Sequence, residues 1–180
     1  RCFSPITIGG HIKSLDDCKR ILHEIGGDKA LVNTAMVERP EFVDEIAAKF
    51  GSQFLVAGID VTTLYNRWHV TKRHGSVTTT RMAVEWAKEL ERRGAGEILL
   101  TDIERDGSLQ GYNLPLVRAV ADSVSTPVIA AGGCGNAVHM ADAVTAGASA
   151  VSTSVIHHMT ETSVLGFKQR LAAAGILVRL

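Results

Sequence analysis

Six times along this chain a short apolar run gives way to a segment with helical spacing, and that alternation limits the fold to a parallel sheet covered by helices. The first strand is SPITIGG (4–10). SLDDCKRILHEI (14–25) follows as a helix, with Ser14 placed to cap it. DKALVNT (28–34) is the second strand, and PEFVDEIAAKF (40–50) the second helix, with Pro40 in its first turn. QFLVAGID (53–60) is the third strand. A polar excursion, YNRWHVTKRHGS (65–76), reads as a hairpin before the helix TRMAVEWAKELERRG (80–94). The strands GEILLTDI (96–103), TPVIAAGG (126–133) and SAVSTSV (149–155) alternate with the helices LPLVRAVADSV (114–124), AVHMADAVTAG (137–147) and SVLGFKQRLAAAG (163–175).

Two architectures accommodate this order: an open doubly wound sheet and a (β/α)8, or TIM, barrel. No GxGxxG sequence follows any of the strands. Small and polar residues gather instead where strands end: Gly9 and Gly10, Asn33 and Thr34, Asp60, residues 102–107, Gly132 and Gly133, Thr153 and Ser154. A barrel collects all these ends on one face, whereas an open sheet scatters several of them away from its switch point. A barrel wall is therefore expected, as a single domain over 1–180.

An internal repeat sharpens this expectation. TPVIAAGGCGNAVHMADAVTAGASAVSTS echoes SPITIGGHIKSLDDCKRILHEIGGDKALVNT. Both run strand, Gly-Gly, helix, Gly, strand, small polar pair. Their separation of about 120 residues is half of a typical barrel of ~250. The repeat makes this chain's strands the third to eighth of a barrel, so that the first two are expected to lie outside it. Glycines and small hydroxyl or amide residues at strand ends leave backbone N–H groups free to cradle a phosphate. Two such places across a barrel suit a ligand with a phosphate at each end. Plain turns are the competing reading of each glycine loop taken alone.

Composition excludes several partner classes. The net charge is zero and the pI about 7.2, so neither nucleic acid nor a membrane surface is expected as partner. No apolar run approaches the roughly 20 residues of a membrane span, and the N-terminus has no signal-peptide pattern. Cys2, Cys18 and Cys134 are too few and too widely spaced for a disulfide framework or a zinc site. A reducing cytoplasm fits, with no metal or cofactor. Cys134, in a glycine loop, reads either as a nucleophile or as a small loop residue.

Alternation along the third strand puts Phe54, Val56, Gly58 and Asp60 on one side, making Asp60 an inward carboxylate at the active-face end. Partial burial would lift it toward a useful range for proton transfer. The alternative is a strand-end aspartate capping the next loop. Alternation also sets Lys29 on the same side as Asn33, at the other mouth of the barrel.

The segments TIGGHI, GGDKALVNTAMVERPE, FGSQFLVAGID, EWAKELERRGAGEILLTDIERDGSLQGYN, TPVIAAGGCG and AGILVRL resemble the cyclase subunits of imidazole glycerol phosphate synthase, from Pro5 to Leu180. The resemblance implies ring closure with ammonia from a glutaminase partner, giving imidazole glycerol phosphate and an aminoimidazole carboxamide ribotide. It implies two catalytic aspartates on opposite sides of the barrel. Asp60 matches one, and the other belongs on barrel strand one, so this chain by itself is expected to be inactive. Gly10, His11, Asn33 and Thr34 match the first phosphate site, and Asp106, Gly107, Gly133, Thr153 and Ser154 the second. Lys29 and Glu97 match charged residues ringing the ammonia entrance, and Asp28 a position facing the glutaminase.

The sequence departs from this pattern in places. His11 stands where the family usually has glycine. VTTLYNRW lacks a lysine two residues after Asp60. Asp102 and Glu104 are unusual in TDIERDGS and are expected to line the substrate end. These departures keep open a related ammonia-using synthase subunit acting on a sugar in surface-polysaccharide synthesis, and the expected absence of the first two strands keeps open a non-catalytic barrel fragment.

Overall fold

The computed structural model describes residues 4–178. Cys2 lies outside them, as do the last two residues of the AGILVRL segment. The parallel strands are β1 (Thr7–Gly9), β2 (Lys29–Val32), β3 (Leu55–Leu64), β6 (Glu97–Asp102), β7 (Val128–Ala131) and β8 (Ala150–Val151). They pair in the order β1-β2-β3-β6-β7-β8 and form a curled half-barrel wall. The order never reverses, which rules out the doubly wound alternative, because that fold needs a switch point. No helix among the described residues is long and apolar enough to cross a membrane.

Register aligns the concave face in layers. Leu31 pairs with Val56, and Val56 with Glu97. Gly58 pairs with Leu99, and Leu99 with Ile129. Asp60 pairs with Thr101, and Thr101 with Ala131. The residues between them face the helices and are almost fully buried, among them Ala30, Val32, Ala57, Ile59, Ile98, Leu100, Val128 and Ala130. Against them pack Phe42, Val43 and Ile46 of α3 (Glu41–Phe50), Trp86 and Leu90 of α4 (Ala83–Arg93), and Leu116 and Val120 of α5 (Leu114–Ala121). Burial of each large apolar side chain contributes about 1.5–3 kcal/mol, so the core lies between wall and helices, and the concave face is left for chemistry.

Several elements differ from the sequence reading. α1 (Leu15–Arg20) starts as expected, with Ser14 and Asp17 forming a reciprocal capping box, but it continues as a π turn over Ile21–Ile25 that stops at left-handed Gly26. Phe54 does not join the strand; it sits in a 3-10 turn, buried, with its ring 5.0 Å from that of Phe50. Two one-turn helices were not foreseen, α2 (Thr34–Glu38) and α7 (Ile156–Met159). β8 keeps only two of the seven residues expected in SAVSTSV. α6 (Ala137–Thr145) and α8 (Val164–Ala173) lie close to their expected places.

The polar excursion is a three-stranded antiparallel meander. β3 runs on past Asp60 because its second half pairs with β4 (Arg67–Lys72), which pairs with β5 (Val77–Met82). Tyr65 and Asn66 join β3 to β4 with φ of 50° and 58°. Positive φ at both central residues is the hairpin turn that matches strand twist.

Candidate functional site

At the C-terminal ends of β1, β2 and β3 lies a cleft of about 680 Å³. Gly10, His11, Asn33, Thr34 and Asp60, five residues marked by the sequence, all line it. Asp60 points inward from β3. Burial lifts its carboxyl above the usual carboxylate value, with Asp106 adding to the rise, while a hydrogen bond from Asn33 and the field of His74 oppose it. Gly58 makes the Asn33 contact feasible, since a Cβ there would come within 3.2 Å of Asn33 Cβ. Asn33 Oδ1 is buried without a partner, the kind of acceptor that a ligand N–H or O–H would satisfy.

The tip of the β4–β5 hairpin folds back over this cleft. The Arg73 backbone N–H donates to Thr34 Oγ1 at 2.9 Å, which leaves the hydroxyl proton of Thr34 available to a ligand. Lys72 Nζ and Arg73 Nη2 both pair with Glu38 Oε1, at 2.9 and 3.1 Å. These contacts bring Arg73 and His74 to the cleft wall beside Arg39 and Lys13. Sequence reasoning did not assign Arg73 and His74 to the site. The only local signal was the run Lys72, Arg73, His74 inside the expected hairpin.

A second cleft, of about 200 Å³, lies at the ends of β6, β7 and β8. Asp106, Gly107, Gly133, Thr153 and Ser154, the residues that the resemblance assigns to a second phosphate site, all line it. Leu99 lines both clefts and is their shared wall. Gly132 and Gly133 take φ of 86° and 99°. Side chains there would drive into the carbonyl oxygens of Asp102 and Gly111, at 2.5 and 2.3 Å. Thr153 Oγ1 lies 2.9 Å from His157 Nε2. The Asp106 carboxylate, in the same pocket, suits a ligand hydroxyl better than a phosphate. Cys134 is 7% exposed, and burial pushes its thiol up, away from the thiolate a nucleophile needs. Its small-residue reading is the one this environment favours.

Asp102 corrects the sequence reading. It is 4% exposed and faces the helix side, not the cleft. One carboxylate oxygen accepts from the Glu104 N–H at 3.0 Å, and the other accepts from Asn113 Nδ2 at 2.6 Å. Asp102 thus organises the loop behind the second cleft. Glu104 is exposed and accepts from Thr62 Oγ1 and the Thr63 N–H, which ties that loop to the β3 extension.

At the opposite end of the wall, Lys29 Nζ donates to Glu97 Oε1 at 2.5 Å, with both side chains about one-quarter exposed. They open β2 and β6, on the concave face defined by Leu31 and Leu99. Asp28 is exposed, and its carboxylate accepts from the Ile6 N–H at 2.8 Å.

The arrangement is a partly desolvated carboxyl in a cleft walled by basic side chains, joined through one side chain to a glycine-and-hydroxyl pocket. A family model described as histidine biosynthesis protein matches residues 1–162.

Proposed function

Because the chain belongs to the histidine biosynthesis protein family, an enzyme family whose substrates are phosphorylated, we propose that it carries the cyclase activity of imidazole glycerol phosphate synthase. The observation that supports this most is Asp60: an inward, partly desolvated carboxyl stands in the first of two clefts that share Leu99 as a wall. A bis-phosphorylated substrate lies along the wall. One phosphate meets Gly10, His11, Asn33 and Thr34, the other Gly107, Gly133, Thr153 and Ser154, and Asp106 holds a hydroxyl between them. Asp60 exchanges a proton with the reacting centre, a role that the burial raising its carboxyl favours. Its counterpart is expected on barrel strand one. Ammonia from a glutaminase subunit enters past Lys29 and Glu97, with Asp28 on the docking face.

His11 favours a second reading, a paralogous synthase subunit that aminates a sugar in surface-polysaccharide synthesis. A bulky side chain at φ 55° occupies the first cleft, where the resembling family has glycine. Turnover of the full-length protein with ammonium salts separates the two. Release of imidazole glycerol phosphate supports the cyclase. Amination of a nucleotide-linked sugar, with no imidazole product, overturns it.

A further inference from the structure

Six non-glycine residues among those described have positive φ: His11, Tyr65, Asn66, Arg73, His74 and Leu109. Tyr65 and Asn66 make the hairpin turn. His11, Arg73 and His74 all stand on the wall of one cleft. Left-handed backbone is strained for an L side chain, and such strain gathers where a side chain must be aimed. The aim here is shared. The rings of His11 and His74, from loops 63 residues apart in sequence, lie with centroids 6.1 Å apart and tilted by 54°. Neither ring has a hydrogen-bond partner among the described residues.

Other charges face the same space. Lys13 shares the His11 loop, Glu38 and Arg39 stand on and just after α2, Asp60 lies on the floor, and Arg73 precedes His74. Glu38 is held by Lys72 and Arg73, and Arg39 pairs with Glu45. Besides Lys13 and Asp60, that leaves the two imidazoles as neighbouring groups without hydrogen-bond partners, each able to donate an N–H to an anion lying between them.

We propose that His11 and His74 form a two-imidazole clamp that receives the anionic group of the ligand at the mouth of the first cleft. The clamp rests on the phosphate-binding reading above and adds a side-chain component to it.

Sulfate is the probe, as a simple analogue of the phosphate group. Titration at constant ionic strength, read by backbone amide resonances, separates the clefts: His11, Ile12 and Thr34 report the first, Gly107 and Gly133 the second. His74→Asn and His11→Gly keep the left-handed turns, which Asn and Gly adopt readily. At pH 6 each variant is expected to weaken first-cleft binding about tenfold, the loss typical of one hydrogen bond to a charged group. The second cleft is expected to respond as in the wild type. First-cleft binding unchanged by His74→Asn or by His11→Gly overturns the clamp alone. No response in either cleft overturns the phosphate reading with it.

Discussion

The two Gly-Gly turns of the repeat share a left-handed second glycine, differ at the first, and border chemically different clefts. Gly10 and Gly133 have φ of 109° and 99°. Around Gly10 nothing lies within 4 Å of where a Cβ would sit, while Gly132 and Gly133 are wedged against the carbonyls of Asp102 and Gly111. The first turn therefore has room for the side chain that follows it, and the cleft is walled by His11, Lys13, Arg39, Arg73 and His74. The second offers backbone, hydroxyls and one carboxylate, Asp106. On the proposed reading, the first half would bind with side-chain charge and the second with fixed peptide dipoles. A fixed dipole cradle tolerates little change, whereas a side-chain cleft can be re-tuned one residue at a time.

The largest expected effect falls in the first cleft. In the full-length protein, Asp60→Asn is expected to lower turnover by roughly 10²–10⁴-fold, the reach of general acid–base catalysis, with substrate affinity largely kept. Stability should move the other way. Burial makes the ionised carboxyl costly, and the neutral amide relieves that by about 0.5–2 kcal/mol, the usual size of a stabilising exchange at a functional site. Steady-state kinetics and thermal unfolding together check this. Near-normal turnover removes Asp60 from the mechanism.

Next comes the glycine contrast itself. Gly133→Ala is expected to destabilise by roughly 2–5 kcal/mol, combining left-handed strain with overpacking against Gly111. Gly10→Ala is expected to cost only about 1–2 kcal/mol, from strain alone. Denaturant unfolding of the two variants measures the difference, and equal losses would erase the distinction between a packed and a free turn.

A smaller effect is expected at the other end of the wall. Lys29→Met breaks the ion pair with Glu97. It should lower glutamine-dependent turnover by roughly tenfold, within the 0.5–2 kcal/mol by which residues away from a ligand alter coupling, and change turnover with free ammonia much less. Equal loss in both assays assigns the pair to folding.

Much of this comparison was legible in the sequence because strand ends and glycines are local signals. Apolar runs marked the six strands, and the small residues after them marked both clefts. Period-two reading placed Gly58 and Asp60 correctly. Applied to Leu99 and Thr101 it also puts Asp102 on the far face, a consequence the sequence reading did not use. What stayed hidden was tertiary. Arg73 reaches Thr34 across 39 residues, and no local pattern says that a hairpin tip will fold back over a strand end two elements away. The one-turn helices α2 and α7 are too short to carry a helical period. β8 ends early because its ladder with β7 stops at Val151.

The smallest expected effect sets the two halves against each other in acid. Asp17 caps α1 in the first half, and its carboxyl is held below the ordinary value by hydrogen bonds from the Lys13 N–H and the Ser14 side chain. Glu91 of α4 is held low by the Ser125 hydroxyl and the N–H groups of Ser125 and Thr126, which anchor the segment leading into β7. A carboxyl lowered by folding contributes stability above its unfolded value, and that stability is lost as pH falls through the folded one. Both contributions should therefore be complete above about pH 4.5 and drain away below it. Asp60 has the opposite sign. Its folded carboxyl is raised, so folding gains stability as pH falls through that raised value, down to the unfolded value of about 3.9. Asp17→Asn and Glu91→Gln are each expected to cost about 0.5–1 kcal/mol at pH 7, where screening keeps exposed carboxylate contacts small, and nothing once the pH is below both values. Unfolding free energies of the two variants and of Asp60→Asn, followed from pH 7 to pH 3, check the signs. Asp17→Asn and Glu91→Gln should converge on the wild type in acid, and Asp60→Asn should lose its advantage. A cost for Glu91→Gln that grows as the pH drops would mean that the anchor of the second half is not electrostatic.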